Sequence, residues 1–206
     1  MRIVVLDSGR DPAYKFNECG KESRDFTGTD LNDPKVKHGT NIAWLIEQEL
    51  KPYRVPHCFI FLKFISMDDS GEKRIKAYID ALNYLTTLDY DAVNMSIGGI
   101  GALRGEKNLF IGLSKKRGII VVASGNDRLN LDKSCRYYPA CFRYKNIIVV
   151  GNTHKSSNYG KDAVTLVIPA IQVGPPDNKM TGSSQSAAIF TGKLMRFLYE
   201  RQETSK

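Results

Sequence analysis

Several patterns that mark common protein classes are scarce or missing in this sequence. Its 206 residues contain no run of about 18 apolar residues, so no membrane span is expected. Histidine occurs only three times and none of the four cysteines forms a C-x-x-C pair, which argues against a structural zinc site. No P-loop and no G-x-G-x-x-G follows an apolar run, so the common phosphate-binding motifs are missing.

The N-terminus also lacks the features of a secretory leader. A basic head is nearly absent from Met1 to Gly9, and the apolar run stops after Leu6. We therefore expect a cytoplasmic protein, or a secreted one whose leader has been removed. Free thiols are expected in the cytoplasm, whereas an oxidising compartment would allow Cys135 and Cys141 to bridge a loop.

The net charge of +8 raises the question of a nucleic-acid partner. The basic residues are dispersed, however, and their densest run, Lys115 to Arg117, comes just before Gly118, where a helix is expected to end. Cations are favoured at a helix C-terminus by the helix dipole. We therefore expect no nucleic-acid partner.

Short apolar runs alternate with helical patterns along the chain, which predicts an α/β fold. The runs suit strands buried on both faces of a mainly parallel sheet, with helices on both faces of that sheet. No linker or internal repeat interrupts the pattern, so residues 1–206 are expected to form one domain. The predicted strands are Ile3 to Leu6, Cys58 to Phe64, Ala92 to Met95, Ile119 to Ala123, Ile147 to Val150 and Val164 to Ile168.

Polar residues with catalytic potential follow these strands or open the predicted helices. Asp7, Ser96 and Asn126 come just after three strands, and His38 and Ser184 stand where helices begin. Since ligands bind beyond the carboxyl ends of parallel strands, we expect these side chains to converge at one edge of the sheet.

Together these residue types fit nucleophilic catalysis. A serine needs an adjacent base, which His38 would supply to Ser184, and Asp7 would orient the imidazole. The Asn126 amide and the backbone N–H of Ser184 would stabilise an oxyanion. The order Asp, His, Ser differs from that of α/β-hydrolases and of chymotrypsin-like enzymes, and it is the order found in subtilisin.

The sequence around each of these residues resembles the subtilisin-like serine proteases, or subtilases. The resemblance extends from about Arg2 to Arg201 and implies a three-layer fold and serine endopeptidase activity without a cofactor. Its motifs are Ile3 to Gly9, His38-Gly39-Thr40, Asn94 to Gly99, Val121 to Asn126, Tyr138-Pro139-Ala140 and Gly182-Ser183-Ser184.

The same resemblance implies a protein or peptide substrate bound as an extended strand. One edge of its groove would be Ser96, Ile97 and Gly98, and the other would be Asp69, Ser70 and Gly71. The pocket for the side chain before the scissile bond would lie between Ser96 to Gly98 and the segment Ala123, Ser124, Gly125 and Asn126. Asp127 at its rim suggests tolerance of a basic side chain.

The sequence departs from the family pattern in three places next to the motifs. Asn41 replaces a histidine, Ser183 replaces a threonine, and Gln185-Ser186-Ala187-Ala188 replaces Met-Ala-Ser-Pro, so that the proline is lost. The acidic loop that binds calcium in subtilisin is also missing, so we expect no matching metal site. No inhibitory pro-segment of the kind common in the family precedes Asp7 in this sequence. We therefore expect either that such a segment has been removed or that the protein is controlled by another route, for example by a separate inhibitor or activator protein.

Other interpretations compete with catalysis. Each polar residue, taken singly, has an ordinary structural role, such as a helix cap for Ser184 or a turn for Asn126. The chain could also be a catalytically silent or activation-dependent peptide-binding module, or a flavodoxin-like phosphate binder. Tyr137 and Tyr138 are interpreted as packing residues in preference to walls of the cleft.

Overall fold

Seven parallel strands form the main sheet of the computed structural model, which describes residues 1–35, 37–67 and 70–205. A separate antiparallel pair joins Gly99–Ile100 (β5) to Tyr137–Tyr138 (β7). Across the main sheet the strands are Arg24–Asp25 (β2), Cys58–Lys63 (β3), Arg2–Asp7 (β1), Ala92–Met95 (β4), Ile119–Ala123 (β6), Ile147–Asn152 (β8) and Leu166–Ile168 (β9). The longer strands coincide with the predicted apolar runs, so the predicted parallel sheet is confirmed.

Four α-helices cover the two faces of this sheet. They are His38–Leu50 (α1), Gly71–Leu85 (α2), Glu106–Leu113 (α3) and Ser183–Thr204 (α4). The α1 and α4 helices pack together on one face, and α2 and α3 contribute to the core of the other. Within the described part of the chain, no helix has the length and apolar character that a membrane crossing requires.

The alternation of side chains along β1 explains the three layers. Ile3 and Val5 belong to the core cluster with α1 and α4, whereas Val4 and Leu6 belong to the cluster with α2 and α3. All four side chains are at most 1% exposed. Successive residues of a strand point to opposite faces, so a continuous apolar run fits a strand that is covered on both sides.

The cysteines differ from the expectation of free thiols. One disulfide joins Cys19 to Cys58, and a second joins Cys135 to Cys141. The first was missed because Cys19 is far from Cys58 in sequence and reaches it only where the loop after β1 runs beside β3. There the backbone N–H of Cys19 donates to the carbonyl of Phe59 at 2.9 Å.

Candidate active site

The carboxyl ends of three strands and the starts of two helices meet at one edge of the sheet. Asp7 ends β1, Ser96 follows β4, and Asn126 lies beyond β6. His38 is the first residue of α1, and Ser184 is the second residue of α4. Hydrogen bonds link Asp7 to His38, and others link the Ser96 and Asn126 segments to the start of α4.

The Asp7 carboxylate and the His38 imidazole form the most closely coupled pair of this edge. The Nδ1 atom of His38 is 2.9 Å from both carboxylate oxygens, and Asp7 is only 1% exposed. Because carboxylate oxygens accept, Nδ1–H is the donor, which leaves the lone pair of the neutral ring on Nε2. The backbone N–H of Ser8 donates to Oδ1 at 2.7 Å and helps to fix the carboxylate.

A glycine contact explains how α1 can begin so close to β1. A Cβ added to Gly39 would lie 2.2 Å from the carbonyl oxygen of Gly9, so only glycine fits between the two backbones. The N–H of Gly39 also donates to the Ser8 hydroxyl at 2.9 Å. This close approach places the His38 ring against Asp7.

The surroundings of His38 act on its pKa in opposite directions. Burial lowers the pKa, while the charge of Asp7 and its hydrogen bond raise it, and the net result is a pKa above the ordinary value of 6.5. The imidazolium form is therefore stabilised at this site, as a base that must hold a proton in mid-reaction requires.

Ser184 and Ser96 are tied together by reciprocal hydrogen bonds. The Ser184 hydroxyl donates to the Ser96 carbonyl oxygen at 3.3 Å, and the Ser96 hydroxyl donates to the Ser184 carbonyl oxygen at 3.0 Å. Among the described residues, no hydrogen bond joins the Ser184 hydroxyl to His38. His38 and Ser184 thus line the same cleft without a direct hydrogen bond between their side chains.

Asn126 faces the start of α4 with its oxygen. Its Oδ1 atom accepts the backbone N–H of Ser183 at 3.0 Å, which leaves the Nδ2 amide as the donor of this side chain. The Ser183 hydroxyl in turn accepts the backbone N–H of Gly125 at 3.0 Å. Serine can replace threonine at position 183 because the hydroxyl that makes this contact is kept.

The two other departures from the family pattern contact each other. The Nε2 amide of Gln185 donates to Oδ1 of Asn41 at 3.1 Å, which connects α4 directly to α1. The Nδ2 amide of Asn41 donates to the carbonyl oxygens of Asn178 and Val173, at 2.6 and 3.2 Å. Asn41 therefore satisfies its own polar atoms without a histidine and holds the loop before α4 against α1.

A cleft of about 420 Å³ lies over these residues. Of the residues expected to bind substrate, it is lined by Ser96, Ile97, Gly98, Ala123 and Gly125. Its other lining residues are Ser8, His38, Phe64, Ile65, Arg74, Asn126, Tyr137, Ser183 and Ser184.

Five of the expected substrate residues do not line this cleft or lie outside the described part of the chain. Ser70 is the N-cap of α2 and Gly71 its first residue, so they form a helix start in place of an extended edge, and Asp69 lies outside the described residues. Phe64, Ile65 and Arg74 line that side of the cleft.

Ser124 is fully buried and its hydroxyl contacts Asn158 and Ser157, away from the cleft. Asp127 is exposed, and its charge contributes to raising the pKa of Tyr137. Packing was the preferred interpretation for Tyr137 and a place in the cleft wall was the alternative, and the structure places Tyr137 in the lining of the cleft. Within the described residues, no group of three or more histidine, cysteine, aspartate or glutamate side chains is arranged to hold a metal ion.

Comparison with known families decides the classification. The model of the subtilase family matches residues 5–204, nearly the whole chain. The chain is a subtilase. This subtilase is a serine-type peptidase, and the resemblance that the motifs indicated is confirmed.

One curated relative has low sequence identity to this subtilase but aligns with most of its length. It is 24% identical over 216 residues to the major intracellular serine protease of Bacillus subtilis (strain 168), with 94% of this chain and 67% of that protein covered.

Two solved structures share its fold. A cold adapted subtilisin-like serine proteinase matches with a TM-score of 0.73 and 22% identity, over 97% of this chain and 75% of the other. A lanthipeptide protease matches with a TM-score of 0.73 and 19% identity, over 98% of this chain and 74% of the other.

Proposed function

We propose that this subtilase is an endopeptidase, a single domain over residues 1–206, in which Ser184 is the nucleophile, His38 the base and Asp7 the residue that orients it. The observation that carries the proposal is the Asp7–His38 pair, with both oxygens at 2.9 Å from Nδ1, on the same cleft as Ser184 and Asn126. A buried carboxylate that holds one imidazole tautomer in this way is suited to general-base catalysis.

The substrate would bind as an extended strand along Ser96 to Gly98. Its backbone N–H would compete for the Ser96 carbonyl oxygen that now accepts the Ser184 hydroxyl. Once released, the hydroxyl can turn towards Nε2 of His38. Hydrogen bonds among catalytic groups often tighten only in the substrate complex, so the present arrangement is compatible with activity.

The reaction would then proceed in two steps. The Oγ atom of Ser184 attacks the peptide carbonyl carbon while its proton moves to Nε2 of His38. The C–N bond breaks as His38 returns that proton to the leaving amine. Water next attacks the acyl-enzyme and gives a proton to His38, which passes it to Ser184 Oγ as the ester bond breaks.

The developing oxyanion would be stabilised by Asn126 and by the start of α4. The Nδ2 amide of Asn126 is the donor left over after its oxygen accepts Ser183 N–H. The backbone N–H of Ser184 belongs to the first turn of α4, where N–H groups have no partner within the helix and the dipole favours negative charge. Donors fixed before the reaction lower the barrier without reorganising.

A second cavity of about 200 Å³ borders the cleft and offers room for another substrate side chain. Its lining includes Ile75, Ile97, Ile100 and Leu103, with Arg74 shared between the two cavities. Ile75 and Ile100 are 46% and 63% exposed. An apolar side chain of an extended peptide would cover this surface and gain binding energy from its burial.

A peptide-binding module without turnover is the alternative function. The observation in its favour is the Ser184 hydroxyl, which is bonded to Ser96 and not to His38. An activator protein, or the substrate itself, would then be needed to complete the site.

Labelling with a serine-reactive fluorophosphonate separates these functions. We expect one adduct on the wild type and none on Ser184→Ala, whose turnover should fall by about 10⁶. A folded wild type that forms no adduct and cuts no peptide would refute the endopeptidase and favour the binding module.

We also propose that this subtilase acts in an oxidising compartment. This corresponds to the alternative of a secreted protein that the sequence left open. Both disulfides support this, because such bonds persist there and are rare in the cytoplasm. Mass measurement without reductant, on protein from its own cells, tests it: fully reduced cysteines would restore the cytoplasmic expectation.

A further inference from the structure

The aromatic ring of Tyr137 lies at the pocket expected to hold the side chain before the scissile bond. Its backbone pairs with Ile100 in the short β5–β7 sheet, and the residue is only 9% exposed. It lines the cleft together with Ser96, Gly98 and Gly125. Tyr137 is thus a buried side chain at the site where substrate would be recognised.

Two glycines show how closely the ring fills the space between the pocket walls. A Cβ added to Gly98 would lie 2.2 Å from Cε1 of Tyr137, and one added to Gly125 would lie 2.5 Å from its Cζ. Gly98 belongs to one wall and Gly125 to the other. The same edge of one ring therefore touches both walls, and even a methyl group on either glycine would collide with it.

The segment that carries Tyr137 is held in place from several directions. The Cys135–Cys141 disulfide closes a short loop around it, and the N–H of Gly101 donates to the carbonyl of Arg136 at 2.8 Å. Burial, with a smaller contribution from the charge of Asp127, raises the pKa of Tyr137 to about 12, so the ring stays a neutral phenol. Movement of the ring out of the pocket would break its packing against Gly98 and Gly125.

We propose that Tyr137 restricts the residue before the scissile bond to glycine, alanine or serine. The assignment rests on the proposed endopeptidase function. A small side chain needs no more depth than the ring leaves, whereas leucine, phenylalanine or arginine would have to displace the ring. This selection by volume replaces the preference for basic side chains that Asp127 suggested.

Peptides that differ only in the residue before the scissile bond test the proposal. We expect the wild type to cleave the alanine and serine peptides with a kcat/KM at least about tenfold higher than those with leucine, phenylalanine or arginine. Tyr137→Ala should raise kcat/KM for the leucine and phenylalanine peptides by about tenfold or more, and Tyr137→Phe, which keeps the ring, should retain the preference for small residues.

The matched control is Tyr159→Ala, which removes a tyrosine that is 54% exposed, and it should keep the wild-type order of substrates. Wild-type cleavage after phenylalanine or arginine as fast as after alanine would overturn the assignment while leaving the endopeptidase intact. That measurement does not depend on whether Tyr137→Ala folds. Failure of the wild type to cut any peptide or to react with fluorophosphonate would instead refute the proposed function, and the substrate assignment with it.

Discussion

The two halves of the candidate active site differ in how far they are assembled. In the Asp–His half, Asp7 and His38 already make the contact that the proposed mechanism requires, at 2.9 Å. In the nucleophile half, Ser184 donates to Ser96, and the Nδ2 amide of Asn126 has no acceptor among the described residues. The first half already has the arrangement of the proposed base, whereas in the second half the Ser184 hydroxyl must leave Ser96 and the Asn126 amide must find an acceptor.

This difference shows which interactions the folded protein makes without substrate. The Asp–His contact is charge-assisted, and its carboxylate is buried, so the folded chain benefits from making it. A proposed oxyanion donor gains a charged partner only when negative charge develops in the transition state. Mutations in the two halves should therefore differ in the size and the kind of their effects.

Among variants that keep Ser184, the largest effect is expected for Asp7→Asn. The amide keeps the shape of the carboxylate but can hold the imidazole in the wrong tautomer, so kcat should fall by about 10⁴. Peptide-cleavage rates and KM for the best substrate would measure it. A loss of less than tenfold would show that the Asp–His half is not preformed in the sense described above.

An intermediate effect is expected for Asn126→Ala. Loss of one oxyanion donor should lower kcat by about 10²–10³ and leave KM nearly unchanged, because the donor acts on the transition state. The variant also removes the acceptor of Ser183 N–H, so its melting temperature should be recorded beside its kinetics. A rise in KM with unchanged kcat would place Asn126 in ground-state binding.

The smallest effect concerns the pH dependence of kcat/KM. The proposed mechanism requires neutral His38, whose pKa is raised above 6.5, so kcat/KM should fall about tenfold per pH unit below that raised pKa. In Asp7→Asn the raising charge is gone and burial still lowers the pKa, so the acid limb of the residual activity should move to lower pH. An unmoved limb would mean that another group controls it.

The raised pKa of His38 also makes the stability of the folded protein depend on pH. A folded-state pKa above the unfolded value stabilises the protein below about pH 6.5, and this contribution disappears as the pH rises through the pKa of folded His38. The difference in unfolding free energy between the wild type and Asp7→Asn should therefore be larger at pH 5 than at pH 8. Urea unfolding at the two pH values would measure that difference.

The sequence predicted the parts of this subtilase that follow from local pattern. Apolar runs such as Ile3 to Leu6 correspond to strands because both faces of the sheet are covered, and turn and helix signals located His38 and Ser184. Topology then brought polar residues to one edge, as the rule for parallel sheets implies.

The rest depended on contacts across space that no local pattern records. Cys19 meets Cys58 only through the path of a loop, and the Tyr137 ring reaches Gly98 and Gly125 only because β7 pairs with β5. Likewise the Asn41–Gln185 contact turns two separate departures from the family pattern into one link between helices. Local patterns in a single sequence do not show that these distant positions meet in space.

The helix α4, which carries Ser184, comes after Asp7 and His38 in the sequence, and this order has a consequence for biosynthesis. Asp7 and His38 leave the ribosome before Ser184, and α4 must pack against α1 and the sheet before the proposed site is complete. Since chains are made from the N-terminus, the nascent polypeptide carries the proposed base before the proposed nucleophile. The order of the proposed triad along the chain thus delays proteolytic capacity until α4 has been made and has packed.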